Sequence, residues 1–551
     1  MATYGIDLGT TYSCIAYVDE TGRPVVLKSA VGEDTTPSVV YFESPANVVV
    51  GRQAKDSALL APHLVVELIK RQMGQDVHYA FHGQDHTPES ISALILRELA
   101  RAAQEQTGEQ IRDVVITVPA YFGVLEREAT RKAGQIAGLN VLDVIAEPVA
   151  AALNYETLGH DGGARHIFIY DLGGGTFDTT VIRIEGDNVQ VVCTDGNHHL
   201  GGADWDSAII SFLLDGFTER HPQLDPASDE QFMQDLATSA EQLKKQLSAT
   251  QTRRYNVRFD GRVVPLEMTR EQLEELTSEL LERTMEITER TIATAREKGV
   301  EHFDDVLLVG GMTITPAIAR ALKERFGLEA RLQDPHLAVA KGAALFALMQ
   351  KVKEGMGGAA EGGPSDGTGD GTAGSTTQEV ADQLGISEEQ VRSIARKRVA
   401  TVVPRAFGLK VVDSKDPAFA ADPSRARHYI VHLLTANTPL PADTGPETFR
   451  TVKDDQREVS LEVWEQAGSV ASEELEHNTH IGEGVLSELP PRPAGAPFQV
   501  VFHMTETGLL KVHGQEADSG REVRFDIQIG GLDEAEVQRA TSAVARYEVN
   551  G

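Results

Sequence analysis

Two short segments of the sequence place an acidic residue directly before a turn rich in glycine and threonine. The first runs from Gly5 to Tyr12 (GIDLGTTY) and the second from Asp171 to Asp178 (DLGGGTFD). In so tight a turn, backbone N–H groups can close on phosphate oxygens because glycine has no Cβ. The adjacent carboxylate can then hold a hydrated metal ion against those phosphates. One such turn is usually only a turn, but two copies favour a duplicated fold that grips one nucleotide from both sides.

A further acidic residue and two more glycine turns suit the same chemistry. Glu147 follows an apolar run and precedes a proline, which by itself is typical of a helix cap. Beside two phosphate turns, its carboxylate also fits a group that orients a metal-bound or attacking water. Glycine turns at 201–202 and 310–312 would close over phosphates and approach the sugar or base. The sequence contains no Gly-x4-Gly-Lys-Ser/Thr, which excludes a Walker-type site.

The elements that must position these residues are predicted from hydrophobic periodicity. Residues 1–350 alternate β-rich runs with amphipathic stretches, which is typical of an α/β domain. The amphipathic stretches predict long helices at 86–107, 229–248 and 270–298. Thr269 and the glutamine three residues later predict a capping box at the start of the last helix.

The second part of the chain follows a different pattern. A Gly-rich tract at 354–376 predicts a flexible linker. Residues 378–398 predict a short helical hairpin, with a DNA-binding helix-turn-helix as the alternative for the same spacing. From 401 onward apolar and polar residues alternate, which predicts the strands of an antiparallel sheet or sandwich. After these strands, only residues 532–547 are predicted to be helical.

The composition limits the partners and the location of the protein. A chain of 551 residues is too long for one core and predicts about two to four domains. The formal net charge of −32 argues against nucleic acid or an anionic membrane as the main partner. Apolar runs are too short to span a membrane, and the first strand begins where a signal peptide would lie. The two cysteines, Cys14 and Cys193, lie in apolar runs, so we expect core thiols and a cytoplasmic location.

Six motifs carry a resemblance to a known family. The segments IDLGTTYSC, VPAYF, EPVAAAL, YDLGGGTFD, HLGGADWD and LVGGMT occur in this order within the first 350 residues. They resemble the DnaK-type chaperones of the heat-shock 70 family. More loosely, FGL at 407–409, NTPLP at 437–441 and the strand at 521–531 resemble that family's peptide-binding domain.

The resemblance implies a fold and a division into domains. Residues 1–350 would form an α/β actin-like ATPase domain, which is a duplicated ribonuclease H-like fold. Residues 351–400 would form a Gly-rich linker with a short helical insertion. Residues 401–531 would form an antiparallel β-sandwich that binds peptides, and residues 532–551 a C-terminal helix stub.

The resemblance also implies roles for individual residues. The catalytic residues would be Lys70, which positions the attacking water, with Glu147, Asp171 and Thr176. The carboxylates of Asp7, Asp171 and Asp178 would hold Mg²⁺ and K⁺, largely through water. The contacts to ATP or ADP would come from Asp7, Gly9, Thr10, Thr11, Tyr12, Gly173, Gly174, Gly175, Gly201, Gly202, Glu241, Lys244, Lys245, Ser248, Gly310, Gly311 and Met312. The peptide would contact Leu409, Val459 and Leu461, while Pro119 and Arg127 would relay the nucleotide state to the peptide-binding half.

Some of these residues have a simpler interpretation when the sequence is considered alone. Lys70 would then be a solvated helix residue. Glu241 and Lys244 would form an ion pair between positions i and i+3 of one helix.

The function implied is that of an ATP-dependent chaperone. It would couple slow ATP hydrolysis to the binding of unfolded or extended polypeptides, with a J-domain co-chaperone and a nucleotide-exchange factor as candidate partners. The alternative is a nucleotide-sensing scaffold or co-chaperone without folding activity of its own. Sugar kinases and actin-like filament proteins share the duplicated core, but the peptide-domain resemblance after 401 argues against both.

The chain departs from the family pattern in four places. Few helical residues follow the sandwich where the family has a helical lid, so we expect fast exchange of clients. The family's short apolar linker is replaced by residues 354–400, so weaker coupling between domains is expected. Asp143 replaces a basic residue that meets J-domain proteins, and charge repulsion is expected to weaken that docking. Lys245 and Ile314 replace two arginines that flank the adenine, which predicts somewhat weaker nucleotide binding.

Overall fold

The computed structural model describes residues 3–156, 163–357, 376–468, 471–506, 508–516, 520–526 and 532–551. Most of the tract predicted as a linker at 354–376 lies outside these residues, as does the end of the strand predicted at 521–531. Among the helices of the described residues, none has both the length and the apolar character needed to cross a membrane.

Residues 3–156 form a first α/β half. Its strands are β1 (Tyr4–Asp7), β2 (Tyr12–Val18), β3 (Pro24–Leu27), β4 (Thr36–Pro37), β5 (Val40–Phe42), β6 (Asn47–Val50), β7 (Val65–Val66), β8 (Tyr79–Phe81), β9 (Gln84–His86), β10 (Asp113–Val118) and β11 (Asn140–Ala146). Its helices are α1 (Arg52–Ser57), α2 (Pro88–Thr107), α3 (Val124–Ile136) and α4 (Glu147–Glu156). The main sheet has the strand order β11-β10-β1-β2-β3, and a smaller sheet contains β6, β5 and β7.

Residues 163–357 form a second α/β half. Its strands are β12 (Arg165–Leu172), β13 (Phe177–Glu185), β14 (Asn188–Asn197), β15 (Thr252–Phe259), β16 (Arg262–Thr269), β17 (Asp305–Val309) and β18 (Ala330–Leu332). Its helices are α5 (Gly202–Thr218), α6 (Glu230–Ala249), α7 (Arg270–Leu276), α8 (Ser278–Glu297), α9 (Pro316–Phe326) and α10 (Ala338–Gly355). The main sheet includes the strand order β18-β17-β12-β13-β14.

The two halves share one topology. In the first, β1 pairs with β10 in parallel and with β2 in antiparallel fashion. In the second, β12 pairs with β17 in parallel and with β13 in antiparallel fashion. Buried residues from both sheets and from α4 and α10 form one apolar cluster between the halves. The duplicated fold predicted from the two turns is therefore confirmed.

A helical hairpin follows the second half and leads into a linker strand. It consists of α11 (Thr377–Leu384) and α12 (Glu388–Arg396), and the linker strand is β19 (Arg398–Ala400). Buried Val380 and Val391 of the hairpin pack against the end of α10. Strand β19 pairs in parallel with β14, with Val399 opposite Val189, so the linker extends the second main sheet.

The following residues form a β-sandwich. Its strands are β20 (Phe407–Val412), β21 (His428–Leu434), β22 (Ala442–Asp443), β23 (Glu447–Arg450), β24 (Val459–Gln466), β25 (Asn478–Leu486), β26 (Pro497–Met504), β27 (Leu510–Gln515) and β28 (Glu522–Asp526). One sheet has the order β21-β20-β24-β25, and the other has the order β22-β26-β27-β28 with β23 also on β26. Alternate side chains such as Val463 and Phe502 are fully buried between the sheets, which confirms the sandwich.

Two predicted helices differ from those observed. The helix predicted at 270–298 is divided at Thr277 into α7 and α8, although the predicted capping box is present, with Thr269 Oγ1 accepting from the Gln272 N–H at 3.1 Å. The helix predicted at 532–547 is shorter: α13 (Glu534–Val544) is followed by a strand, β29 (Glu548–Asn550). Three residues of β29 pair in parallel with β6, which is too short a run to give a periodic signal.

Candidate nucleotide site and its connection to the sandwich

The two phosphate-type turns meet in a cleft of about 900 Å³ that residues of both halves line. A Cβ added to Gly174 would lie 2.4 Å from the Thr11 side chain, and one added to Gly175 would lie 2.4 Å from Thr10. Only glycine allows this approach, so the turn of the second half fits against the turn of the first. The predicted residues that line the cleft are Asp7, Gly9, Thr10, Thr11, Tyr12, Lys70, Glu147, Asp171, Gly173, Gly174, Thr176, Gly202, Glu241, Lys244, Lys245, Ser248, Gly310, Gly311 and Met312.

Three other predicted residues support this lining. Gly175 and Gly201 are in close backbone contact, since a Cβ on Gly201 would lie 2.6 Å from Gly175. The Ala203 N–H donates to the Gly174 carbonyl at 2.8 Å, so the start of α5 is fixed to the second phosphate turn. Asp178 lies opposite Asp171 in the β12–β13 pair and accepts a hydrogen bond from the Tyr121 N–H at 3.0 Å.

The carboxylates of the cleft are buried close to one another. Burial, together with the charge of Glu147, raises the pKa of Asp7 and of Asp178 to about 7 each. The same causes hold the pKa of Asp171 well above its ordinary range. A bound cation would reverse these shifts by favouring the ionised carboxylates. These buried carboxylates therefore fit a site that could hold a cation.

A direct metal cage is not formed by the protein alone. Within the described ranges, no three acidic, histidine or cysteine side chains are close enough together to ligate one ion. Mg²⁺ commonly retains several waters and binds through one or two carboxylates and the phosphates of a substrate. The acidic residues present fit that mode of binding.

Lys70 forms a buried ion pair with Glu147 at the floor of the cleft. The Nζ–Oε1 distance is 2.6 Å, and the lysine side chain is 4% exposed. Lys70 lies in a 3₁₀ turn, Ile69–Gln72, and its ammonium also lies 5.8 Å from the centre of the Phe122 ring. The interpretation of Lys70 as a solvated helix residue is therefore wrong.

A charged cluster at the mouth of the cleft joins the two halves. The Glu241 carboxylate accepts from Tyr12 Oη at 3.0 Å and from Lys245 Nζ at 2.6 Å, and it also pairs with Lys55. Burial would raise the pKa of Glu241, but the two lysines outweigh it and lower the pKa to about 2. Tyr12 and Lys55 belong to the first half and Glu241 to the second, so the cluster bridges the opening.

Lys244 has a different partner from the one expected from helix spacing. Its Nζ donates to Asp206 Oδ2 at 2.7 Å and to the Gly202 carbonyl at 2.8 Å. The predicted i,i+3 pair between Glu241 and Lys244 is therefore wrong, and Glu241 pairs instead with Lys245 at i+4.

Arg71 is a cleft residue that the sequence patterns did not identify. Its Nε donates to the Gly175 carbonyl at 3.0 Å, and its Nη2 donates to Asp204 Oδ2 at 2.6 Å. The guanidinium of the first half thus binds the second phosphate turn and the first turn of α5. In the sequence, the only indication that Arg71 lies in the cleft was its position next to Lys70.

Comparisons with known proteins agree with this architecture. The family model described as "Hsp70 protein" matches residues 3–356 and 426–550. The chain is 34% identical to "Chaperone protein DnaK" of Thermotoga neapolitana over 99% of this chain and 83% of that protein. The DnaK proteins of Thermotoga petrophila and Thermotoga maritima match with the same identity and coverage.

The chain belongs to the Hsp70 family. As an Hsp70 chain it is an ATP-dependent chaperone and an ATPase, with an actin-like nucleotide-binding region followed by a β-sandwich. The identity extends over nearly the whole chain, so it includes the sandwich as well as the cleft.

In this Hsp70 chain, residues 119–124 connect the cleft to the sandwich. The Tyr121 N–H binds Asp178 on the cleft side, and the Tyr121 carbonyl accepts from Arg405 Nε at 3.0 Å on the sandwich side. The Phe122 N–H donates to the Pro119 carbonyl at 3.2 Å, and Arg127 Nε donates to the Phe122 carbonyl at 3.0 Å. The two predicted relay residues therefore brace a turn that contacts both regions.

The contact with the sandwich contains buried charges. Arg405 is 4% exposed, and its Nη2 lies 3.1 Å from Glu126 Oε1. Glu465 is 1% exposed and accepts from the Val124 N–H at 3.2 Å. Burial raises the pKa of Glu465 to about 7, even though Arg405 lies 3.9 Å away. Neither residue was predicted, because a contact between such distant segments leaves no local pattern.

Two positions that depart from the family pattern, Asp143 and Ile314, differ in their surroundings: Asp143 is largely enclosed, whereas Ile314 lines the cleft. Asp143 lies in β11 with its side chain 17% exposed, 3.6 Å from Arg131 and 3.0 Å from Gln350 Nε2. Its charge is thus partly enclosed rather than presented on an open surface. Ile314 lines the cleft and is 42% exposed, so it presents an apolar side chain there.

The predicted peptide-binding residues lie in the sandwich core. Leu409 on β20 and Leu461 on β24 are 2% and 3% exposed, whereas Val459 is half-buried at the start of β24. All three belong to one apolar cluster with residues of both sheets. In the structure described, Leu409 and Leu461 are covered.

Proposed function

We propose that this chain binds ATP in the cleft between the two glycine turns and hydrolyses it slowly, as the timer of a chaperone for extended polypeptides. The buried Lys70–Glu147 ion pair carries the proposal, because it places a fixed ammonium and carboxylate beside both turns. Phosphoryl transfer needs positioning and charge neutralisation more than covalent chemistry. This arrangement supplies both.

Each group of the cleft has a role in this mechanism. The N–H groups of the turns after Asp7 and Asp171 bind phosphate oxygens. Thr176, which lies in the second turn, belongs to the catalytic residues of this proposal. Lys70 and Glu147 hold a water in line with the γ-phosphorus. Asp7, Asp171 and Asp178 would hold Mg²⁺ and K⁺ through water, and Mg²⁺ held there would supply charge neutralisation for the phosphates.

The nucleoside end of the cleft also has assigned contacts. We assign the hydrogen bonds to the sugar and base to Glu241, Lys244 and Ser248, and the closing wall to the turn 310–312 with Ile314. Lys244 must exchange its bonds to Asp206 or share them when a nucleoside binds. Lys245 belongs to the charged cluster at the mouth and would close it over the nucleoside.

The sandwich is proposed to bind unfolded or extended segments, with Leu409, Val459 and Leu461 as its apolar contacts. Because two of these side chains are covered, the two sheets must separate locally before they can meet a client. The turn 119–124 would transmit the nucleotide state through Arg405. A J-domain co-chaperone, a nucleotide-exchange factor and a cytoplasmic location complete the proposal.

Substitution of the central lysine tests the catalytic assignment. We expect Lys70→Ala to reduce ATP turnover by about 100-fold or more while ATP still binds, because the water loses its positioning group. The measurements are single-turnover hydrolysis and nucleotide affinity by calorimetry. The matched control is Lys323→Ala, which changes an exposed lysine of the second half. Turnover that is unchanged in Lys70→Ala would refute the assigned role.

Peptide-dependent turnover tests the chaperone assignment separately. An extended peptide rich in leucine and valine should raise the ATPase rate of the wild-type chain, whereas the same peptide with aspartate at those positions should not. A scaffold that only senses nucleotide would show no stimulation by either peptide. That result would refute client coupling even if ATP hydrolysis were normal.

A further inference from the structure

The C-terminal segment 544–550 lies in a groove on the first half of the nucleotide-binding region. Strand β29 extends the small sheet by pairing with β6, with Glu548, Val549 and Asn550 opposite Asn47, Val48 and Val49. The Glu548 N–H donates to the Ala46 carbonyl at 2.9 Å. Tyr547 and Val549 are buried, whereas Glu548 and Asn550 are exposed. The segment is therefore bound as an extended strand, with alternate side chains inserted.

Tyr547 is the anchor of this segment. It is 2% exposed and belongs to the core cluster of the first half, together with Val544 and Val549. Its ring packs edge-on against Phe42, with centroids 6.0 Å apart, and lies 5.7 Å from the ring of His86. A buried aromatic side chain of this kind commonly dominates the affinity of a peptide for its groove.

The tyrosine hydroxyl is bound by two residues at the bottom of the pocket. It donates to Gln84 Oε1 at 2.8 Å, and His86 Nε2 lies 3.0 Å from it. Burial lowers the pKa of His86 to about 4, so the imidazole is neutral near pH 7 and its Nε2–H can donate to the hydroxyl. A phenylalanine at this position would remove the hydroxyl partner of the buried His86 Nε2, so the pocket favours tyrosine.

Polar contacts fix the two ends of the segment. Arg97 of α2 donates from Nη1 to the Val544 carbonyl. At the other end, Asn550 Nδ2 donates to Asn47 Oδ1 at 2.8 Å. The groove thus recognises backbone groups, one aromatic anchor and one branched side chain, which is the manner of recognition of peptides that add a strand to a sheet edge.

We propose that this edge of β6 and the Tyr547 pocket form a second peptide-binding groove, located on the nucleotide-binding region and separate from the sandwich. Its ligand class is an extended segment with tyrosine two residues before a branched apolar residue. Residues 544–550 occupy the groove in cis and fasten the end of α13 to the first half. The residues that form the groove belong neither to the nucleotide cleft nor to the sandwich.

A labelled peptide tests whether the groove accepts such a ligand. The probe is a fluorescent nine-residue peptide with the sequence of 543–551, and binding is measured by anisotropy. The full-length double variant Tyr547→Ala/Val549→Ala has a weakened internal ligand and should bind the probe at least tenfold more tightly than the wild-type chain. The control Arg546→Ala/Glu548→Ala changes exposed residues of the same segment and should behave like wild type. Equal binding to all three proteins, or binding to none, overturns the proposal.

A cross-link tests occupation of the groove in the intact chain. The natural cysteines are buried, so cysteines introduced as Asn47→Cys and Glu548→Cys, at positions that lie opposite each other, are the reactive pair. Because Glu548 lies opposite Asn47, this pair should cross-link at least fivefold faster under mild oxidation than a control pair at Asn47 and Arg546, which is displaced by two residues. Addition of Tyr547→Ala should remove the difference. Equal rates for the two pairs in the otherwise unchanged chain would show that the segment is not seated and would overturn the proposal.

Discussion

The two hairpins that hold the glycine turns have the same topology but present different groups to the cleft. In the first, Asp7 lies opposite Cys14 in the β1–β2 pair. In the second, Asp171 lies opposite Asp178 in the β12–β13 pair. The equivalent register position thus holds a buried thiol in one half and a carboxylate in the other. The second hairpin therefore contributes one more carboxylate to the site than the first hairpin does.

This difference extends beyond the cleft. Asp178 binds the Tyr121 N–H of the turn that contacts Arg405, so the additional carboxylate lies on the path to the sandwich. The edge strand of the second sheet, β14, pairs with the linker strand β19. In the described part of the first sheet, the corresponding strand β3 is the last in the order. Asp178 and β14 of the second half therefore add contacts with the linker and with the 119–124 turn, beside those that residues of the first half make with the sandwich.

The largest expected effect is the difference between substitutions at the two equivalent register positions, Asp178 and Cys14. Asp178→Asn should lower ATP turnover by about 100-fold, because a group that orients the cation and the Tyr121 turn loses its charge. The matched change in the first hairpin, Cys14→Ser, should stay within about twofold, since the thiol carries no charge there. Steady-state ATPase rates measure both. Similar losses in the two variants would mean that the hairpins contribute equally.

A smaller effect is expected for the hydrogen bonds by which Arg71 of the first half binds Gly175 and Asp204 of the second half. Arg71→Ala should weaken ADP affinity by about tenfold, because hydrogen bonds to charged groups are worth about 1.5–3 kcal/mol and a tenfold change is about 1.4 kcal/mol. Arg71→Lys should recover part of this loss, since it keeps the charge without the planar fork. Calorimetric titration with ADP measures both variants. Wild-type affinity in Arg71→Ala would exclude a closing role.

A substitution in the linker strand β19 tests its pairing with β14, which is a connection made by the second half alone. Val399→Asp places a charge at a partly buried position opposite Val189 and should weaken the β19–β14 pair. We expect peptide stimulation of ATPase to fall about fivefold, while basal turnover stays within about twofold. Arg398→Ala changes an exposed residue of the same strand and is the control. Full stimulation in Val399→Asp would mean that the pairing does not transmit the signal.

The smallest effect concerns pH. The pKa of Glu465 rises from 4.5 to about 7 when it is buried against Val124 between Arg405, Glu126 and Arg127. Protonated Glu465 favours the docked contact because its pKa is higher when it is buried there. This contribution to docking is fully present below about pH 4.5 and is lost as the pH rises through about 7. Docking should therefore be modestly stronger at pH 6 than at pH 8.

Energy transfer between dyes on introduced surface cysteines, one on each region, measures this docking. Glu465→Gln removes the titrating group and should give the same transfer at both pH values. A pH dependence that persists in Glu465→Gln would assign it to another group.

The sequence predicted the groups that lie within short motifs. The turns after Asp7 and Asp171 were identified because glycine and threonine spacing is a local property. The partners of Glu241 and Lys244 were mispredicted, because Lys55 on α1 and Asp206 on α5 compete for these charges only after folding. Helix spacing alone does not contain that information.

The contacts between regions were predicted least well. Arg405 and Glu465 meet residues of the 121–126 segment that are hundreds of positions away in the chain, and each by itself resembles an ordinary surface charge. The strand β29 is three residues long, so the prediction of a helix stub missed it. A short strand that forms only by pairing with the edge of an existing sheet has too few residues for a detectable hydrophobic periodicity.

The two thiols have a consequence for redox conditions. Cys14 and Cys193 are 2% and 1% exposed, and burial raises the pKa of Cys14 well above its ordinary value and that of Cys193 to about 12. Oxidants and electrophiles react with accessible thiolates, and these buried thiols with raised pKa values are poor targets. We therefore expect the ATPase activity of the protein to need no reductant.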